Sequence, residues 1–491
     1  MPKLEISVDH GFYESETVPF ANQSCVNLYP KHAETKDTLS KGALYRTPGI
    51  ISTDTVQGVG RGFLKDTINN YLYIVAGTTL YRKSNVGLIT NIGTITGTGR
   101  VSMAWNGITL VVVAPGTSGY FYTIASGLAP ITATAFTDQM TNANGGVTSV
   151  CYKDSRFIYS TDDDFFIGKV ISTNNGQDFE VLDYETAEVK ADPIVSVKSI
   201  KNELYVFGKE TIELYQVTGG AGFPYVRIPG ATIEKGLAGR NAVVPFDNSF
   251  LFLGSDTLEN PSIWRGASGF AQKVTTSAID KILQTYTEAE LETVSAWTYN
   301  DGGSWFAGFN LPDRTLVYDA SASSTQQRPV WHERKTNDTT WRVEDCISAY
   351  GHIMVIDNLA GKVGYLDRAV SDEYGTAIDR TFSGGYLQDQ GDSFRVSSIE
   401  LKVSAGVGNL KGTTDSNPTV EMLMSKDGGN TFVSFGTRKI GMQGEFNKRL
   451  IWRRVGRVAH NVMFKFVMNG TVAVDFYRID IEVKGNDKKG M

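Results

Sequence analysis

The stretch that decides the fold runs Asn69-Asn70, then Tyr71-Leu72-Tyr73-Ile74-Val75, then Gly77-Thr78-Thr79, then Leu80-Tyr81. A polar turn leads into a short apolar and aromatic run, and a second turn leads into another. Similar first turns stand near Gly107, Asp154, Asn202, Asn248, Gly302 and Gly351, a mean step of about 47 residues. Strand-built repeats of that length are read as propeller blades of about four strands each, arranged in a ring. The fold class expected is therefore mainly β: a β-propeller body of six or seven blades. Such a ring is a scaffold, so its function lies in what it presents and joins.

The bulk composition agrees. The chain has 491 residues, 41% hydrophobic and 20% charged, as expected of a protein with a proper core. Its 51 glycines against 14 prolines, with 22 Tyr and 25 Phe, suit an all-β chain rich in turns. A formal charge of −6 argues against a general nucleic-acid binder. Cys25, Cys151 and Cys346 lie far apart without metal-type spacing, and are read as buried free thiols. The N-terminus lacks an apolar signal region, and no stretch approaches the ~18 apolar residues of a membrane span.

Three regions follow from the pattern. Residues 1–50 are polar and irregular, an N-terminal arm ending in Arg46-Thr47-Pro48-Gly49-Ile50. Residues 51–370 carry the propeller, interrupted at about 276–292 by a helical insertion. There Ser277 with Asp280, and Thr287 with Glu290, read as helix caps, and Ile279, Ile282 and Leu283 share one face. The insertion is either a contact element or a pair packed onto its own blades. Residues 371–491 read as a C-terminal antiparallel β-sandwich, with strand-like runs at Ser397–Val403, Val420–Met424, Thr431–Phe435, Val462–Val467 and Val472–Val483. From Ser425 to the end, 13 Lys and Arg face 6 Asp and Glu, a local excess of +7 that leaves −13 for the rest.

Few motifs carry chemistry. Ser425-Lys426-Asp427-Gly428-Gly429-Asn430-Thr431-Phe432 resembles the Asp-box of sialidase-like propellers, with Ser172–Phe179 a degraded cousin. That box shapes a turn and does not catalyse. The five histidines have no helical zinc spacing, Asp162-Asp163-Asp164 suits a solvated hairpin tip, and the glycines of Gly58–Gly62 and Gly93–Gly99 lack a phosphate-loop ending. No nucleophile pairs with a base, and neither an enzyme nor a cofactor or metal site is expected. The sharpest local feature is basic: Lys448-Arg449-Leu450-Ile451-Trp452-Arg453-Arg454-Val455-Gly456-Arg457. Arg interleaved with Trp can grip phosphate or an acidic protein surface. Lys448, Arg449, Trp452, Arg453, Arg454 and Arg457 are the candidate assembly interface, a subunit contact being favoured over nucleic acid. The plainer reading is a strand with one charged face.

The sequence also resembles a known family, the tail nozzle proteins of short-tailed lambdoid bacteriophages, also called packaged-DNA stabilisation proteins or tail accessory factors. The matching stretches are Arg46–Ile50, Gly99–Ala104, Lys235–Gly239, the helical pair Ile279–Glu290, Leu316–Ser321 and Trp452–Arg457, in the same order along most of the chain. The resemblance implies a virion tail protein forming a homohexameric ring beneath the portal and its adaptor ring. The ring extends the DNA channel, a needle-like plug closes it, and fibres or spikes attach nearby. DNA would pass without sequence-specific binding. No catalytic residues are implied. The alternative is a glycan-binding or sialidase-like propeller acting in receptor recognition.

Overall fold

The computed structural model of the chain describes residues 3–485, apart from 18–20, 142–145, 163, 170–177, 187–191, 219–222, 256–257 and 390–391. Most of the degraded Asp-box at Ser172–Phe179, and Asp163 of the acidic triplet, lie outside the described residues.

Six four-stranded antiparallel sheets follow one another at 60–94, 102–130, 149–186, 194–227, 243–273 and 295–336, and form blades 1 to 6. Blade 7 takes three strands from Val343–Ala349, His352–Asp357 and Lys362–Asp367, and its fourth, Gly49–Thr55, from the start of the chain. The count is therefore seven blades. The repeat at Gly351 ends the ring, because the early strand pairs along its open edge from Leu366↔Ile50 to Lys362↔Thr55. The inner strand of blade 7 then packs beside Gly60–Asp66, the inner strand of blade 1.

The periodic turns are the hairpins between first and second strands of each blade. Asp154 and Ser155 (φ 48° and 64°), Gly302 and Gly303 (55° and 78°), and Tyr350 and Gly351 (57° and 77°) are left-handed at both turn positions. Two-residue hairpins need that geometry to match strand twist, which is why Asp, Asn and Gly mark the repeat. The second strands, such as Leu72–Ala76, Leu110–Ala114 and Phe250–Leu253, are buried on both faces between neighbouring blades. They accordingly read as continuous apolar runs and do not alternate.

The C-terminal region is a sandwich. One sheet orders Leu450–Val458, Phe394–Val403, Phe476–Gly485, Gly42–Arg46 and Leu28–His32, with Lys3–Ile6 also paired to Phe476–Gly485. The other contains Thr376–Ser383, Asn461–Gly470, Thr419–Ser425 and Val433–Lys439. The arm is thus woven through both domains. Cys25–Val26 bridges Thr376–Ser383 of the sandwich and Trp331–Thr336 of blade 6. Beside it, buried Asn27 adopts φ 54°, donates from Nδ2 to the carbonyls of Lys335 (3.0 Å) and Asp379 (2.7 Å), and accepts from the Lys335 amide (3.0 Å). One short amide side chain therefore ties propeller to sandwich, a role Asn suits because it tolerates the left-handed conformation.

The helical insertion consists of Ser277–Leu283 and Glu288–Glu292. Thr287 and Glu290 form the expected reciprocal cap. The Ser277 reading needs correction. Thr276 is the cap residue and makes no side-chain cap bond, while Ser277 Oγ lies 3.1 Å from Tyr13 Oη of the arm. Asp280 is drawn elsewhere, accepting from Thr275 Oγ1 (2.6 Å) and Ser262 Oγ (2.9 Å) and pairing with Lys273 (2.6 Å). Ile279, Leu283 and Leu291 are buried in the main core, so the pair packs on its own blades and leaves the glutamates of the second helix exposed.

Candidate assembly surface

The basic cluster lies on the sandwich strand Leu450–Val458, at the edge of its sheet. Simple alternation would turn Arg454 inward with Trp452. A β-bulge prevents this: the register passes from Val396↔Gly456 to Ser398↔Arg453, with Arg454 at φ 59° and Gly456 at 110°. The extra residue keeps Arg453 and Arg454 both exposed while Trp452, Val455 and Val458 are buried. Glycine two residues on makes the second positive φ inexpensive.

The six expected interface residues therefore separate. Trp452 is fully buried, donates from Nε1 to the Gly436 carbonyl (2.8 Å) and lies beneath the Arg438 guanidinium. It cannot interleave with arginines at a surface, because its side belongs to the core. Arg449 is held by Glu400 through Nε (2.7 Å) and Nη2 (2.5 Å), and Lys448 stands 3.7 Å from Glu445. The Arg449 guanidinium beside Glu400 holds that carboxyl down at about 2. Arg453 and Arg454 have no hydrogen-bonding or ionic partner among the described residues, and Arg457 donates only to Ser393 Oγ (2.9 Å). Sequence reading missed Arg395 and Lys484. Strand register puts Arg395 between Arg457 and Lys484, through Arg395↔Arg457 and Arg395↔Lys484, and residues so far apart in sequence give no local signal.

The mouth of the propeller channel is also concave, a cavity of about 680 Å³ lined by Gly60, Arg61, Gly99, Arg100, Arg240 and Glu344 among others. Two of its glycine loops turn carbonyls to a buried guanidinium. Arg61 donates to the oxygens of Gly99 (2.6 Å) and Gly77 (2.8 Å), which is the reverse of a phosphate cradle. Arg100 binds Asp345 (2.5 Å) and Glu344 (3.6 Å), and Glu292 pairs with Lys209 (3.0 Å). The mouth's carboxylates are thus engaged in ion pairs.

The remaining motifs are structural. Asp427 of the Asp-box accepts from Ser425 Oγ (2.7 Å), the Thr431 amide (3.0 Å) and Thr431 Oγ1 (2.5 Å), bonds that hold its carboxyl down at about 2. Gly428 and Gly429 take φ 76° and 92°, so the box shapes the hairpin between two sandwich strands. All three cysteines are free and buried, and burial pushes the Cys151 thiol up to about 12. His332 is buried among aromatic rings, and burial pushes it down to about 3. No His/Cys/Asp/Glu group suited to a metal occurs among the described residues, and no helix there is long and apolar enough to cross a membrane.

The chain is thus a seven-bladed ring stitched to a sandwich, with a basic sheet edge on which Arg453 and Arg454 have no ionic partner among the described residues. Residues 4–371 match the family described as "Bacteriophage P22 Gp10, beta-propeller", and residues 379–484 match "Bacteriophage P22 Gp10, beta-sandwich". The chain belongs to this family, and the resemblance read from the sequence is borne out. It is 28% identical over 472 residues to the tail hub protein gp10 of Salmonella phage P22, covering 91% of this chain and 93% of the relative. This is a structural protein of a phage tail, and the glycan-directed alternative is not favoured. Among solved structures, the extracellular domain of a hybrid two-component system from B. thetaiotaomicron is 9% identical (TM-score 0.40; 71% of this chain and 43% of that one). The computationally designed Ika8 protein is 13% identical (TM-score 0.37; 70% and 99%).

Proposed function

We propose that the chain forms the nozzle ring of the tail, a homohexamer that extends the DNA channel below the portal and its adaptor, helps retain packaged DNA and conducts it during ejection. The observation that carries this reading is the near end-to-end match to a tail hub protein, spanning both propeller and sandwich. Its partners on this reading are the adaptor ring above, a needle-like plug below and fibres or spikes at the side. Exposed Arg453, Arg454 and Arg457 lie at a subunit or adaptor contact, with Lys448 and Arg449 at its margin.

Physical argument supports the channel role. DNA under pressure must slide, so a lining that binds phosphate weakly suits a conduit. A chain of net charge −6, with a local basic excess toward its C-terminal end, can bury that basic surface in contacts and leave acidic surface elsewhere. The protein acts by position, without catalysis. Particles assembled without this chain test the reading: they should fill with DNA and then lose it. Particles that retain full-length DNA and differ only in host attachment would move the protein to a receptor-binding role.

A further inference from the structure

The outer face of the sandwich sheet built on Phe394–Val403 is electrically divided. Toward one end its charges are matched. Glu400 holds Arg449 and Lys402, and Asp480 holds Arg478, which also reaches Glu5. Glu482, which accepts from Ser398 Oγ (2.8 Å), marks the boundary. Toward the other end the register sets Lys484, Arg395 and Arg457 side by side on three adjacent strands, with Arg453 and the bulged Arg454 between this row and the matched end, Arg453 opposite Ser398. All five are exposed, and none has an ion-pair partner among the described residues.

Like charges directly opposite one another across strands destabilise a sheet. A ladder of three cations, extended by a bulge that turns a further arginine outward, works against the folded monomer. Such a row is explained when a partner neutralises it. The required partner presents carboxylates at a spacing near 5 Å, the distance between neighbouring strands.

The chain itself carries such a surface. On the helix Glu288–Glu292, Glu288 and Glu292 are one turn apart, about 5–6 Å on a helix face. Both are exposed and share a single ammonium, Lys209, which leaves them with excess negative charge. Glu290 between them is also exposed. This helix stands at the rim of the channel mouth, which Glu292 lines.

We propose that the Lys484–Arg395–Arg457 ladder of one copy docks on the Glu288–Glu292 helix of the next copy, a head-to-tail contact joining sandwich to propeller rim. It rests on the reading of the chain as a ring subunit, and names the surfaces that make the ring. A heterologous contact of this kind closes into a ring when its rotation is a simple fraction of a turn.

Carbodiimide cross-linking of intact tails tests the contact, because it joins a lysine amine directly to a touching carboxylate. Copies should be linked to one another, with the linked peptide pairing Lys484 with Glu288 or Glu292. A ring whose copies give no such link overturns the contact while leaving the nozzle reading intact. Tails in which this chain forms no ring would remove both. In a second arm, Arg395→Glu puts an anion between two cations, so the variant should keep or raise its Tm while copy–copy association weakens at least tenfold. Reversing the whole ladder (Arg395→Glu, Lys484→Glu and Arg457→Glu) together with Glu288→Arg and Glu292→Arg should restore association. Unchanged association in Arg395→Glu overturns the proposal. So does a loss confined to binding of duplex DNA, which would assign the ladder to phosphate. If Arg395→Glu fails to fold, Arg395→Gln with Lys484→Gln is read in its place, by the same association measurement.

Discussion

Replacing Glu400 by glutamine tests whether the matched half of the sandwich face is held by charge. Glu400 accepts from Arg449 through two bonds and from Lys402 Nζ at 2.6 Å, and these contacts, the Arg449 bonds foremost, hold its carboxyl at about 2 against an ordinary 4.5. That difference sets a ceiling of ~3 kcal/mol. Arg449 is 60% exposed, so solvent screening reduces the expected loss to about 1–2 kcal/mol. The sign follows from linkage. A depressed carboxyl contributes fully above its unfolded value near 4.5, and the contribution fades as pH falls toward 2. Native-state hydrogen exchange along Phe394–Val403 reads the local opening free energy. Glu400→Gln should fall below the wild type by the full amount at pH 7 and by clearly less at pH 3. Equal differences at both pH values, or none at pH 7, would refute the charge account and leave packing as the cause.

Other substitutions separate the roles assigned above. Trp452→Ala should cost about 3–5 kcal/mol in sandwich stability by denaturant unfolding, whereas Arg453→Glu, at the next residue but exposed, should change it by less than about 0.5 kcal/mol. Thr287→Ala removes a working cap and should cost about 1 kcal/mol, while Ser277→Ala should leave its helix unchanged; circular dichroism melts compare the two. Asn27→Ala leaves the half-buried Lys335 amide and Asp379 carbonyl without their partner and should cost about 1–3 kcal/mol. Limited proteolysis should then cut between propeller and sandwich before either domain. Asp427→Ala should speed hydrogen exchange at the Gly429 and Thr431 amides without altering the propeller.

Much of this architecture was legible in the sequence because hairpin chemistry is local. Each Asn, Asp or Gly turn announces a blade within a window of a few residues, and the capping box at Thr287 does the same for a helix. What could not be read depends on partners far along the chain. Gly49–Thr55 looks like the end of a strap until Lys362–Asp367 offers it an edge. Ser277 has the right spacing for a cap, yet Asp280 is claimed by Lys273, Thr275 and Ser262. The basic run was found, but not its geometry. The bulge at Arg454 decides which arginines face out, and it is visible only against Phe394–Val403. The same pairing turns Trp452 into core and brings in Arg395 and Lys484.

The central claim is that this chain is one subunit of a ring whose useful hole lies between copies. Electron microscopy of the intact virion tail tests it most directly. The account predicts a closed ring of six copies on the tail axis below the portal and adaptor, with the DNA channel bounded by several copies and each propeller's own centre off the axis. Density showing single copies at the tail periphery, or DNA threading one propeller, would contradict it.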